Sequence, residues 1–302
     1  MKTSTFCQTP MPDILRSSAS SSGPGRIRWN GSSGIIKEDS CVMLTIDRAD
    51  LAGIPSFILR DTRVDDAPVV VHYHGWTGDK GSIENPDQSL VQLASAGFCV
   101  VAPDCYEHGE RRTDAWFRAQ FNGWAFVCQA MDKTRAEAPA LFEAVMALPF
   151  SSARNPQVCG SSMGGLIAQM VFTEIKEYAS MVSIVGRSSF FQADEWCRQA
   201  QQGTWCDDWC AKYATQSHPD RFTDRPVLFI DGGLDTDCPA STNAETVRLI
   251  NELGGLAEHF VDPEVGHARS PSMRARFVDW IVAHGRPPLA TAWPMQRDYT
   301  QM

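Results

Sequence analysis

Apolar residues fall into short runs parted by turn-forming ones. The runs at 68–74 (PVVVHYH), 98–102 (FCVVA), 157–160, 181–185 (MVSIV), 227–230 (VLFI) and 258–261 have strand length. Several are almost wholly apolar, the mark of a strand covered on both faces. Between them lie helical patterns at 88–96, 115–148, 163–178 and 242–253, and a last one follows at 273–283. Strands alternating with helices predict a mostly parallel central sheet with helices on both faces. Earlier runs at 26–29, 41–46 and 54–60 carry β-branched residues between turn signals and predict antiparallel N-terminal strands at the sheet edge.

One segment breaks the alternation. Residues 187–225 form a connection far longer than usual, and it holds Phe190, Phe191, Trp196, Trp205, Trp209 and Tyr213. An aromatic insertion at the strand ends predicts a helical lid or substrate wall. The competing expectation is an extra packed helix pair. Residues 1–25, rich in Ser, Pro and Gly, read as a flexible leader. The domain then runs over 26–286 with the lid at 187–225, and 287–302 is a tail.

Composition narrows the class. The chain has 302 residues, 43% hydrophobic and 21% charged, which excludes wholesale disorder. A net charge of −9 without a basic run speaks against nucleic-acid and anionic-membrane partners. No apolar run is long enough to span a bilayer. One Lys without an apolar stretch behind it does not read as an export signal, so a cytoplasmic location with reduced thiols is expected. Ten cysteines are scattered, several inside apolar runs. Cys206 and Cys210 share a metal-ligand spacing but lack a second pair, and His72 and His74 lack a third ligand, so no metal is expected.

Chemistry enters at Gly160-Ser161-Ser162-Met163-Gly164, a G-x-S-x-G pentapeptide between an apolar strand and a helix. A strand–turn–helix of this kind lifts a serine hydroxyl out of the sheet and aims a helix N-terminus at it. Ser162 is a weak nucleophile unless a base takes its proton and an acid orients that base. Of the downstream histidines, His259 lies inside a strand, His284 ends a helix and His218 precedes every candidate acid. His267, in the loop after the last strand, is the expected base. Three aspartates compete as the acid. Asp231 reads as a turn cap and Asp237 as a cap of the next helix, whereas Asp235 follows the Gly-Gly turn and is preferred. Oxyanion donors are expected from the Met163 N–H and, in the loop after 68–74, from the Trp76 N–H. Gly75 lets that backbone approach a substrate, and His74 is expected to fix the loop by hydrogen bonds. Phe190, Trp196, Trp205 and Trp209 complete the expected substrate pocket.

These residues resemble the α/β-hydrolase fold: His-Gly at 74–75, Gly-Ser-Ser-Met-Gly-Gly at 160–165, Gly-x-x-Asp-x-x-x-Pro at 232–239 and Gly-His at 266–267. The stretch Ala102-Pro103-Asp104-Cys105-Tyr106-Glu107-His108-Gly109-Glu110-Arg111 is similar to the Pro-Asp…His-Gly-x-Arg of small bacterial esterases in the prolyl-oligopeptidase and dienelactone-hydrolase branch. The likeness runs from about residue 40 to 285. It implies a carboxylesterase-like serine hydrolase acting on small-molecule esters of modest size, without cofactor. Amide, peptide or thioester cleavage could use the same groups, and a turnover-dead binding protein is the reading from another class. A homodimer is left open. The chain departs from the family pattern at Asp231, often His there, and at Cys238, usually Val. Asp104 and Arg111 are expected in structural hydrogen bonds.

Overall fold

A computed structural model describes residues 43–84, 88–113, 124–189 and 203–285. The expectations for 1–25, for a strand at 26–29, for Phe190 and Trp196, and for the tail lie outside the described residues, as does the Trp205 side chain. Among the described residues, eight strands form one sheet in the order β1-β2-β4-β3-β5-β6-β7-β8. They are β1 (Leu44–Leu51), β2 (Ile54–Asp61), β3 (Ala67–Tyr73), β4 (Cys99–Pro103), β5 (Ser151–Ser161), β6 (Ser180–Ile184), β7 (Val227–Gly232) and β8 (Ala257–Asp262). β1 pairs antiparallel with β2, and β2 with β4. Every later pairing is parallel. The helices are α1 (Ser89–Ser95), α2 (Trp124–Met146), α3 (Met163–Glu174), α4 (Gly203–Tyr213), α5 (Ala240–Glu252) and α6 (Pro271–Gly285).

Alternation along the central strands explains the continuous apolar runs. Val69 and Val71 of β3, Cys99 and Val101 of β4, and Val227 and Phe229 of β7 enter one core, shared with α2, α3, α4 and α5. Val70, Val100, Leu228 and Ile230 point the other way, into a second core shared with α1 and α6. Full burial of each such side chain contributes roughly 1.5–3 kcal/mol, so the sheet is held on both faces.

The first hairpin turns through Ala52 and Gly53, both at positive φ (56° and 79°), which suits the twist of a two-residue loop. β1 runs further than expected because Asp47, Arg48 and Asp50 belong to an edge strand and give it no apolar run. β5 also starts early. Its pairing with β3 shifts register between Pro68 and Val70, and Asn155 sits at φ 50°. α3 ends at Glu174 instead of Tyr178, because Ile175 turns extended while staying buried.

Topology places the site. From β3 the chain leaves through α1 to β4 on one side, and from β5 it leaves through α3 to β6 on the other. β3 and β5 are neighbours, so a crevice opens beyond their carboxyl ends, where ligands bind in open α/β sheets.

The described part of the insertion is a packed element. Trp209, expected in a substrate wall, is buried in the core, and its indole N–H donates to Asp132 Oδ1 of α2 at 3.1 Å. Thr215 Oγ donates to Gln169 of α3 at 2.5 Å, and the Phe222 ring stacks on Phe172 with centroids 6.0 Å apart. Trp209, expected in a substrate wall, thus packs into the core against α2, as the competing expectation of a packed helix has it.

Candidate active site

Ser162 ends β5 and opens α3 with φ 56° and ψ −120°, a sparsely populated conformation for a residue with a Cβ. Neighbouring glycines make the bend possible. A Cβ on Gly160 would lie 2.1 Å from the Gly164 carbonyl oxygen, and one on Gly164 would lie 2.0 Å from that of Tyr73. Both distances are far inside van der Waals contact, so only glycine fits. The second contact also presses the first turn of α3 against the end of β3. The Ser162 N–H donates to the Ile184 carbonyl at 2.8 Å, pinning the bend to β6.

Asp235 and His267 arrive on the loops after β7 and β8, which interlock closely. A Cβ on Gly232 would meet the Gly266 and Val265 carbonyl oxygens at 2.3 Å. Leu234 N–H donates to the Val265 carbonyl at 2.8 Å, and Gly233 N–H to that of Asp262 at 2.7 Å. Asp262 in turn accepts the Ser270 and Ser272 hydroxyls at 2.6 and 2.7 Å, closing the far end of the His267 loop. Those two hydroxyls hold the Asp262 carboxyl below its ordinary pKa.

The three side chains meet. His267 Nδ1–H donates to Asp235 Oδ2 at 2.7 Å, and the Ser162 hydroxyl lies 2.9 Å from His267 Nε2. The Asp235 side chain is fully buried, and its other oxygen accepts the backbone N–H groups of Asp237 and Cys238 at 2.9 and 2.8 Å. With Nδ1 committed to the carboxylate, Nε2 presents its lone pair to the serine. The His267 side chain is 30% exposed, so the serine face of the ring opens to solvent.

The other two aspartates do other work. Asp231 does not cap a turn. It is fully buried in β7, where its carboxylate accepts His259 Nε2–H and Asn243 Nδ2–H, both at 2.8 Å. Burial pushes its pKa up in spite of these donors. Asp237 does not cap α5 either: the cap residue is Pro239, with no side-chain bond to the helix. Asp235, Asp237 and His267 hold ligand atoms within 4.8 Å of one another. A cation there would draw on the same Asp235 and His267 groups that face Ser162.

Across the crevice, Gly75 abuts the serine turn: a Cβ on it would lie 3.5 Å from Ser162 Cβ. Trp76 follows it, half-buried and packed against the core shared with α3. His74 is buried; its Nδ1–H donates to the Gly75 carbonyl at 2.8 Å, and its Nε2 accepts Cys105 N–H at 3.1 Å. Burial lowers the His74 pKa to about 4, and that of His72 to about 3. His72 instead meets Cys159 Sγ at 3.4 Å, so the two imidazoles have separate partners.

The segment after β4 braces this loop. Lys80 reaches Asp104 Oδ2 at 2.7 Å and Glu110 Oε1 at 2.5 Å, both as ion pairs. Lys80 N–H also donates to Asp104 Oδ1 at 2.8 Å. Arg111 forms a two-pronged pair with Glu137 at 2.7 and 2.8 Å and donates to the Asp104 carbonyl at 3.2 Å. Sequence reasoning did not assign Lys80 or Glu137 to this brace, because each partner comes from a distant part of the chain.

The dienelactone hydrolase family model matches residues 54–272, from β2 to the start of α6. The chain belongs to the dienelactone hydrolase family. Among curated relatives, Esterase YjfP of Escherichia coli is 25% identical over 223 residues, 70% of this chain and 87% of that one. Solved structures share the fold. An acetyl xylan esterase from Thermoanaerobacterium superposes with TM-score 0.61 at 16% identity, covering 86% of this chain and 88% of that chain. An acylaminoacyl peptidase from Pyrococcus horikoshii superposes with TM-score 0.64 at 15% identity, covering 80% of this chain and 41% of the peptidase. Within the family frame, the sheet of this dienelactone hydrolase relative is the α/β-hydrolase sheet expected from sequence. Among the described residues no helix is long and apolar enough to cross a membrane.

Proposed function

We propose that the chain is a serine hydrolase that cleaves carboxylic esters of small to medium size through an acyl-enzyme. The observation that carries this reading is the unbroken line Asp235–His267–Ser162, at 2.7 and 2.9 Å. His267 takes the Ser162 proton as the hydroxyl oxygen attacks the ester carbonyl. The Met163 and Trp76 N–H groups stabilise the resulting oxyanion, and Asp235 steadies the imidazolium. His267 then gives that proton to the departing alcohol. Water, deprotonated by the same imidazole, attacks the acyl-serine, releases the acid and restores the hydroxyl. No cofactor takes part in these steps.

That a curated relative is named an esterase supports esters over amides for this chain. The peptidases among the fold neighbours share only the architecture, and a fold does not set the substrate. A panel of p-nitrophenyl acyl esters set against aminoacyl p-nitroanilides separates the two. The expected outcome is turnover of acetyl and butyryl esters with kcat/KM at least a hundredfold above any anilide. Preference for the anilides would replace this reading with an amidase.

A further inference from the structure

Gly75 lies against the serine turn, where a Cβ would sit at ordinary contact distance, 3.5 Å from Ser162 Cβ, and glycine leaves the backbone loose at the point where an oxyanion donor must be held still. Something outside the loop has to fix it. His74 supplies one restraint. Because Cys105 N–H donates to its Nε2, the proton is on Nδ1 and goes to the Gly75 carbonyl. That carbonyl and the Trp76 N–H are opposite ends of one planar peptide group. The next peptide begins with the Trp76 carbonyl, and here a second imidazole arrives from the segment after β4. His108 is fully buried, with Nε2 2.6 Å from the Trp76 oxygen and Nδ1 2.8 Å from the Tyr106 oxygen. A neutral imidazole has a single N–H and donates to only one of these two carbonyls; the shorter contact, the one that crosses to the loop, takes that proton. The His108 ring also meets the Trp76 indole edge-on at 5.0 Å and lies 5.2 Å from the His74 ring.

We propose that His108 is a positioning residue for the oxyanion hole: its Nε2–H donates to the Trp76 carbonyl and so fixes the direction of the Trp76 N–H. The proposal rests on the ester-hydrolase reading above. A hydrogen bond from His108 to one carbonyl, and from His74 to the carbonyl before it, clamps the two peptide groups on either side of Trp76. The donor then needs no reordering when charge develops on the substrate oxygen, and the benefit falls on the transition state more than on substrate binding.

The test compares His108→Phe, which keeps an aromatic ring against Trp76 and His74 but has no donor, with His108→Gln, which returns one. Active sites are counted with a fluorophosphonate probe, and p-nitrophenyl acetate turnover is expressed per labelled site. For His108→Phe, kcat per site should fall about tenfold or more with KM within about threefold, and affinity for a trifluoromethyl ketone should fall by a similar factor. His108→Gln should recover part of the loss. A purely structural role would lower the count of labelled sites and leave kcat per site alone. If His108→Phe yields no folded protein, His108→Gln against His108→Met, matched in length and differing in the donor, carries the same comparison. A donor-less variant whose kcat per site stays within twofold of wild type overturns the proposal on its own. A wild-type protein that is neither labelled nor active on esters overturns the hydrolase reading and this proposal together.

Discussion

The two sides of the crevice are built by different means. On the side of β5, β7 and β8, Ser162, Asp235 and His267 are set by the backbone: a bend at Ser162 that only flanking glycines permit, and two loops locked by main-chain hydrogen bonds. On the side of β3 and β4, the loop at 74–80 is set by side chains from a second segment, through His74, His108, Lys80 and Asp104. On the first side, glycines beside Ser162 and before Asp235 mark the device in the sequence. The second side carries the motif at 102–111, but which distant groups its side chains meet is decided by the fold. Substitutions on the first side should therefore remove chemistry with little loss of fold; on the second, breaking an ion pair should loosen the structure, and removing the His108 donor should lower kcat.

The largest expected effect is on the first side. Asp235→Asn should lower kcat on p-nitrophenyl acetate by roughly four orders of magnitude, because the amide favours the wrong imidazole tautomer, while the thermal midpoint moves little. Asp237→Asn should stay close to wild type. The reverse pattern would transfer the acid role to Asp237. On the second side, Lys80→Met removes the only ion-pair partner of the buried Asp104 carboxylate among the described residues, leaving it two backbone N–H donors, and should destabilise the fold by about 3 kcal/mol, read as a lower midpoint in urea. An unchanged midpoint would mean that the brace does not hold the loop.

Acid should act on the same side. His72 and His74 stay neutral in the fold down to about 3 and about 4, because burial opposes their charge. In the unfolded chain each takes up a proton near pH 6.5, so the unfolded state binds more protons between roughly pH 6.5 and 4. Stability contributed by these neutral rings is present above that window and is lost as pH falls through it, by about 3 kcal/mol per ring at the acid end. Asp231, raised by burial, works in the opposite direction. The His74 contribution is isolated by His74→Gln, whose urea midpoint should fall less than the wild type's between pH 7 and 4.5. The smallest effect is at Trp209, where Phe should cost about 1 kcal/mol through the lost bond to Asp132 and leave kcat alone. A large change in kcat there would return Trp209 to the substrate pocket.

The same contrast explains what could be read in advance. The central strands were legible because alternate residues enter two apolar cores, and Ser162 because its bend needs glycine at 160 and 164. The loop after the last strand then pointed to His267, and the Gly-Gly turn to Asp235. The start of β5 was hidden by a register shift among polar residues, and the end of α3 by Ile175, which is buried outside the helix. Trp209 misled because an aromatic residue in an insertion packs a core as readily as it lines a pocket. His108 carried no assignable role, since its partners are two main-chain carbonyls that no side-chain pattern reveals.

The most direct test of the central claim is covalent. The folded protein is treated with a fluorophosphonate, digested, and the modified peptide located by mass spectrometry, with Ser162→Ala as control. The account predicts a single adduct on Ser162 in the wild type and none in the variant, with ester turnover lost in step. Wild-type protein that hydrolyses esters while Ser162 stays unmodified, or a Ser162→Ala variant that keeps its activity, would contradict it.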